Sequence, residues 1–247
     1  MKLIILPFLS LCLGSLAQST KKITNTSGDK YNKEKEIFYV LTTNETVKEG
    51  PYEYYWTNSL ECTGFYKAGK KDSVWIRYRR GKVASKRFYQ EGKRTGIWEF
   101  FKLNGEPDWK YDFNTQTSIH DQDYKEPNGL RTLYLNESNE WVVDALAMRP
   151  LRLTSDGEWL GYLISHLRYP QEAIDKNQTG TTNVRLEIDE TGLVIGYEIE
   201  TSSYPSLDAE ALRIIKAFPF EFIPAEKDGR KIRSKILQPM VFKLEGG

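Results

Sequence analysis

A 23-residue period runs through the first half of this chain. Tyr52, Trp75 and Trp98 recur at that spacing, as do Phe65, Phe88 and Tyr111. Gly69 with Gly92, and Lys70 with Lys93, keep the same register. A fixed period with turn residues at fixed offsets is the mark of a repeat array. Each unit reads aromatic-x-x-aromatic, a turn with Gly or Asn, an aromatic pair, then Gly-Lys. That is long enough for two short strands and two turns. Alternation in Lys86-Arg87-Phe88-Tyr89 and in Trp98-Glu99-Phe100-Phe101 fits hairpins with one aromatic face. One hairpin cannot bury such a face alone, so neighbours must stack. Residues 36–147 are therefore expected to be an all-β hairpin-repeat region with the aromatics as its stacking core. The basic residues near the turns (Lys70, Lys71, Arg79, Arg80, Lys82, Lys93 and Arg94) are interspersed with acidic ones and read as solvated turn charges.

In Gly96-Ile97-Trp98-Glu99-Phe100-Phe101 and Tyr89-Gln90-Glu91-Gly92-Lys93 these units resemble the MORN-like repeats of bacterial surface and antitoxin-type proteins. Before them, Lys2, an apolar run over 3–13 and Ser15-Leu16-Ala17 ahead of Gln18 read as a cleavable signal peptide, residues 1–17. The run is shorter than the roughly 20 residues of a comfortable membrane span. A periplasmic location follows, with a retained inner-membrane anchor as the alternative. Cys12 belongs to the apolar core of that signal, because Leu11 stands where a lipid-modification signal needs a small residue. Cys62 is then the one cysteine left, and it reads as a packed apolar residue. Residues 18–35 are polar and expected to be a linker. With 35 Lys+Arg against 34 Asp+Glu the charge is balanced, which argues against a nucleic-acid partner.

After the repeats, His120 stands among acidic neighbours in a turn-rich stretch and reads as a loop, not a metal site. Segments 130–135 and 141–147 are expected to pair as a hairpin that closes the array. The C-terminal domain is placed at 148–247. Trp159, Leu160, Leu163, Ile164 and Leu167 form an apolar stripe of a helix, with Ser155 or Asp156 as its cap and Tyr169-Pro170 as its end. His166 near its end has no partner at metal spacing and reads as a surface or interface side chain. Val184, Leu186 and Ile188 alternate with Arg185 and Glu187 in a strand. A turn with Gly192 leads to a second strand, 193–201. A second helix has Ser206 or Asp208 as cap, Ala209, Leu212, Ile215 and Ala217 as its buried side, and Pro219 as its stop. A last strand is expected over 232–244. The product is α+β: three antiparallel strands with two helices on one face.

Several short motifs occur here in a fixed order. They are Tyr169-Pro170 followed by Ala173, then Gly180, then Ile188-Asp189 with Gly192, then Leu207-Asp208 with Glu210-Ala211. Phe218-Pro219, Pro224-Ala225 and Leu237 with Pro239 and Phe242 complete the set. In that order and spacing the last third of the chain resembles the C-terminal domain of the TonB energy-transducer family. Full members of that family carry a long Pro-rich spacer after a retained membrane helix, and neither feature is present in this sequence. The resemblance implies partner capture by β-strand addition. It places the contact strand at Arg233, Ser234, Lys235, Ile236, Leu237 and Gln238, flanked by Tyr169 and Pro170. The implied partner is an extended segment of an outer-membrane transporter or another envelope protein, in energy-dependent transport. Pro239 fits an edge strand. The alternative is an edge covered by the chain itself or by a second copy, as in a homodimer. No catalytic motif, phosphate-binding glycine loop or paired Cys-x-x-Cys is present, so the chain reads as a non-enzyme without a cofactor. The other functional reading is a secreted scaffold that binds a protein or wall polymer through its aromatic repeats, with no transport role.

Overall fold

The computed structural model describes residues 18–29, 33–120, 132–143 and 148–244; the signal segment 1–17 lies outside them. Nine strands follow one another as an antiparallel meander. They are β1 (Thr20–Ser27), β2 (Glu34–Leu41), β3 (Asn44–Trp56), β4 (Ser59–Lys67), β5 (Lys70–Arg79), β6 (Lys82–Gln90), β7 (Lys93–Phe101), β8 (Pro107–Asp112) and β9 (Thr117–His120). The expected linker is corrected by β1, which pairs with β2 over its whole length. Its side chains are almost all exposed, so the backbone ladder and not burial holds it there. His120, expected in a loop, ends β9 opposite Trp109.

Turn chemistry sets the period. Thr57-Asn58, Ala68-Gly69, Arg80-Gly81 and Glu91-Gly92 are two-residue hairpin loops, with all eight φ angles between 44° and 81°. Positive φ at both positions is what a type I′ turn needs, and its twist matches that of the strands. The turns are also tied to one another at the repeat spacing. Gly69 N donates to Lys48 O and Gly92 N to Lys71 O, each at 2.8 Å. The indole N–H of Trp75 donates to Phe65 O (3.2 Å) and that of Trp98 to Phe88 O (3.0 Å). Gly64 makes room for the first indole: a Cβ there would lie 2.3 Å from the Trp75 ring.

One face of this sheet carries Trp75, Tyr89, Trp98, Phe100, Trp109 and Tyr111, all buried. The other leaves Phe65, Val74, Phe88 and Ile97 partly exposed. The aromatic core expected from the repeat therefore exists. It is closed by Leu151, Leu153 and Ile223 of the second half of the chain.

That second half contains β10 (Leu133–Leu135), β11 (Trp141–Val142), β12 (Leu151–Arg152), α1 (Asp156–His166), α2 (Gln171–Asp175), β13 (Gly180–Ile188) and β14 (Val194–Thr201). It continues with α3 (Pro205–Ala217), β15 (Phe222–Ile223), β16 (Ala225–Lys227), β17 (Arg230–Ile232) and β18 (Ser234–Phe242). Its main sheet has five strands in the order β11-β10-β18-β13-β14. The expected three antiparallel strands are its β18, β13 and β14. The β10–β11 hairpin does form, but it joins this sheet and not the repeat array, which corrects the boundary placed at 147/148. Among the described residues three helices stand in place of the expected two, α2 being a single short turn after Pro170.

Val184, Leu186 and Ile188 are fully buried under α3, as the alternation predicts. The helix faces differ from expectation. On α3 the buried residues are Leu207, Glu210, Ala211, Ile214 and Ile215, while Ala209 and Ala217 are exposed. Pro205 sits at the first helical position. Asp208 accepts from Ser203 N (3.2 Å), and Ser206 makes no cap bond. On α1, Leu160 and Ile164 are exposed while Glu158, Trp159, Gly161, Tyr162 and His166 are buried. The reason is position: α1 lies between the two sheets. Gly157 and Gly161 face the β7–β8 turn and Arg79, with no room for a Cβ (2.3 Å to Leu103 N, 2.9 Å to Arg79 Cβ). Ser155 caps α1 through Glu158 N (2.9 Å) and donates its hydroxyl to Phe101 O (2.7 Å).

Candidate functional site

The edge of the second sheet is read from one hydrogen bond. Leu135 N donates to Arg233 O at 3.1 Å, so the Arg233 backbone faces β10. Backbone direction alternates along a strand, and the β13–β18 register is unbroken from Gly180↔Phe242 to Ile188↔Ser234. Lys235, Leu237, Pro239 and Val241 therefore also turn their backbone groups away from β13, and Ser234, Ile236, Gln238, Met240 and Phe242 turn theirs toward it. Pro239 consequently lacks an N–H on the outer side only, where the β13 ladder loses nothing.

The expected contact strand divides at this point. Residues 233–235 are not an open edge, because β10 pairs with them (Leu133↔Lys235, Tyr134↔Ser234). Their side chains are also engaged. Arg233 forms an ion pair with Glu187, and Lys235 reaches Glu187 (3.6 Å), Glu198 (3.7 Å) and the face of Trp141 (4.5 Å to the ring centre). Ser234 is fully buried. Ile236 and Gln238 bond inward. Gln238 also accepts from Arg152 (3.2 Å). Among the described residues, no strand pairs with the outer side of Leu237, Pro239 and Val241. Tyr169 packs its ring edge-on to Phe242 (5.8 Å) and donates its hydroxyl to Gln178 O (2.5 Å). Tyr169 and Pro170 therefore flank the far end of β18 and not residues 233–238.

The second candidate is a cavity of about 380 Å³ where α1 and the end of α3 meet the aromatic face of the repeats. Its floor is ionic. Glu158, fully buried on α1, accepts from Arg77 (3.1 Å) and from Arg87 (3.1 Å to each oxygen). Glu221 pairs with Arg87 (2.9 Å) and Arg77 (3.5 Å). Burial alone would raise the Glu158 carboxyl, but Arg87, Arg77 and Arg79 hold it down to about 2. Glu221 is likewise held below its ordinary value against its burial, chiefly by Arg87 and Arg77. Arg94 donates to Phe222 O (2.8 Å) and Thr191 O (2.9 Å). Arg79 pairs with Glu61, whose carboxyl is raised by burial against the pull of that arginine.

At the other end His166 is stacked between Tyr162 (4.0 Å) and Trp56 (4.3 Å), with Nδ1 3.0 Å from Tyr162 O. Burial pushes its imidazole down to about 4, with Arg79 and Arg213 adding to the effect. Its reading as an interface side chain holds. Cys62 lies in the cavity wall, and burial pushes its thiol up.

Sequence reasoning took Lys71, Arg79 and Arg94 for solvated turn charges, and the structure places all three at this interface. A signal was available: Lys48, Lys71 and Arg94 also recur at 23 residues, four positions before Tyr52, Trp75 and Trp98. Each cation lies over aromatic rings of the array. Lys48 covers Phe38, Tyr52 and Tyr66, Lys71 covers Trp75 (4.7 Å) and Tyr89 (5.0 Å), and Arg94 covers Phe113 (5.5 Å).

Residues 165–244 match the family described as Gram-negative bacterial TonB protein C-terminal. The match spans the end of α1 through β18 and excludes the repeats and the β10–β11 hairpin. No curated protein and no solved structure matches the chain.

Proposed function

We propose, for a chain whose residues 165–244 form a TonB C-terminal domain, a role as a TonB-like cell-envelope protein that takes an extended partner segment as an added strand. The observation that carries this is the outer side of β18. Three residues of β10 cover only its beginning, and Leu237, Pro239 and Val241 continue the template toward Tyr169 and Pro170. An edge of this kind offers its unpaired backbone groups to a second chain. The docking site is thus shifted along the strand from the one the resemblance implies. Arg233, Ser234 and Lys235 become available only when β10 leaves. The partner is an outer-membrane transporter or another envelope protein, and the setting is the periplasm. The role is that of a binding protein and not of an enzyme.

The test is capture from envelope extract by the full chain and by Leu237→Pro. That change removes an outward N–H and leaves the β13 ladder intact. Capture of an outer-membrane transporter, identified by mass spectrometry and lost in the variant, supports the reading. Equal capture of the same transporter by both proteins overturns it.

A further inference from the structure

The three repeated cations differ in one respect. Lys48 forms an ion pair with Glu36 (3.2 Å), and Arg94 donates to two backbone carbonyls of the second half of the chain. Lys71, between them in register, faces the cavity. Among the described residues no oxygen lies within ion-pair or hydrogen-bond distance of its ammonium, which is held by the Trp75 and Tyr89 faces alone. Glu221 acts on it through space, but the oxygens of Glu221 are engaged by Arg87, Arg77 and the Tyr89 hydroxyl. Glu158 and Glu221 balance Arg77 and Arg87, so Lys71 is surplus positive charge at a half-buried site. Burial accordingly lowers its pKa, against the attraction of Glu221.

We propose that this cavity binds a small carboxylate anion carrying a six-membered ring, with the carboxylate on Lys71 and the ring against Tyr66 and Trp75. One negative charge neutralises the surplus, and the ammonium donates to it as its two repeat counterparts donate to protein oxygens. The walls suit a ring. Tyr52, Tyr66 and Trp75 pack edge-to-face or tilted at 5.0 to 5.6 Å between centres and line this end of the cavity with aromatic carbon. The volume lies in the range of small-molecule sites, roughly 300–1,000 Å³, and sites of this kind favour domain interfaces. Glu34 lies at the opposite end with Tyr54 and Tyr162, so an anion is favoured at the Lys71 end only.

The ring can be a sugar or an aromatic, and the probes separate the two. The full chain, with its tryptophan indoles labelled with ¹⁵N, is titrated with N-acetylmuramic acid, with N-acetylglucosamine and with benzoate. Saturable shifts of the Trp75 indole signal by N-acetylmuramic acid are expected. N-acetylglucosamine has the same ring without the carboxylate and should bind at least roughly tenfold more weakly, the worth of a charge-assisted hydrogen bond. Lys71→Met, which keeps the apolar stem, should weaken the carboxylate by a similar factor, and Lys93→Met, at an exposed lysine outside the cavity lining, should not. Binding of benzoate without N-acetylmuramic acid assigns the ring to an aromatic. The proposal is overturned if neither carboxylate saturates the signal, if N-acetylglucosamine binds as well as its acid, or if Lys71→Met leaves binding unchanged. The comparison of the two sugars uses the unaltered chain and stands even where the variant does not fold.

Discussion

Replacing Glu158 by Gln removes one negative charge from the contact between the two sheets while keeping the side chain's shape. The carboxylate accepts three hydrogen bonds of 3.1 Å from two arginines and is fully buried. In the variant Arg87 keeps Glu221, Leu153 O and Ser85, and Arg77 keeps Glu221 and Pro219 O. Removing one member of a buried ionic cluster typically costs 3–5 kcal/mol, and with this partial compensation we expect about 3 kcal/mol. The titration argument agrees. A carboxyl lowered from 4.5 to about 2 corresponds to about 3 kcal/mol. A depressed carboxyl stabilises the fold above its unfolded pKa, and that contribution is lost as pH falls from 4.5 toward 2. Urea unfolding at pH 7, followed by tryptophan fluorescence, should show the loss, with a melting temperature lower by about 6–12 °C. At pH 3 the gap between wild type and Glu158→Gln should narrow. A loss below about 1 kcal/mol at pH 7, or a gap unchanged between pH 7 and pH 3, would refute the view that this cluster locks the halves together.

Three further outcomes are expected. Ile236→Pro should destabilise by about 3 kcal/mol or more, because its N–H faces β13, whereas Leu237→Pro should cost about 1 kcal/mol or less, because its N–H faces outward; equal costs in urea unfolding would contradict the assigned alternation. Gly64→Ala should lose roughly 2 kcal/mol and disturb the Trp75 indole signal, since the new Cβ has no room beside the ring; a neutral result would remove the close approach as a constraint. His166 should titrate by NMR near 4 and stay neutral at pH 6, and a midpoint near 6.5 would mean that the Trp56–Tyr162 stack is open to water. Because its folded pKa is depressed, the stability it contributes is present above 6.5 and declines as pH falls toward 4.

Local chemistry was legible. The hairpins of the array follow from paired turn residues, with Asn or Gly at the second position and an aromatic register repeated every 23 residues. Strand β13 followed from simple alternation and the start of α1 from Ser155, because a helix cap acts within a few positions of itself, whereas α1 already ends at His166, ahead of Tyr169-Pro170. The C-terminal domain was readable from its motifs, and the match over residues 165–244 agrees with it.

What the sequence could not decide was pairing at a distance. Thr20–Ser27 has no apolar period, so nothing local announces β1; it exists because β2 offers a ladder. Leu133–Leu135 forms a hairpin readily, but only assembly determines that it lies beside β18 and shortens the open edge to Leu237, Pro239 and Val241. The apolar stripe of α1 pointed to Leu160 and Ile164. The structure buries Glu158 and Gly161 instead and sets Gly157 against Leu103, because only small residues fit against the β7–β8 turn and only a carboxylate satisfies Arg77 and Arg87. Nothing local in the sequence assigns Arg77 and Arg87 to this contact, because their partners across it are 66 to 142 residues away. Turns, caps and alternation are set by neighbours in the chain. The fate of a charge or an edge depends on what the fold brings against it.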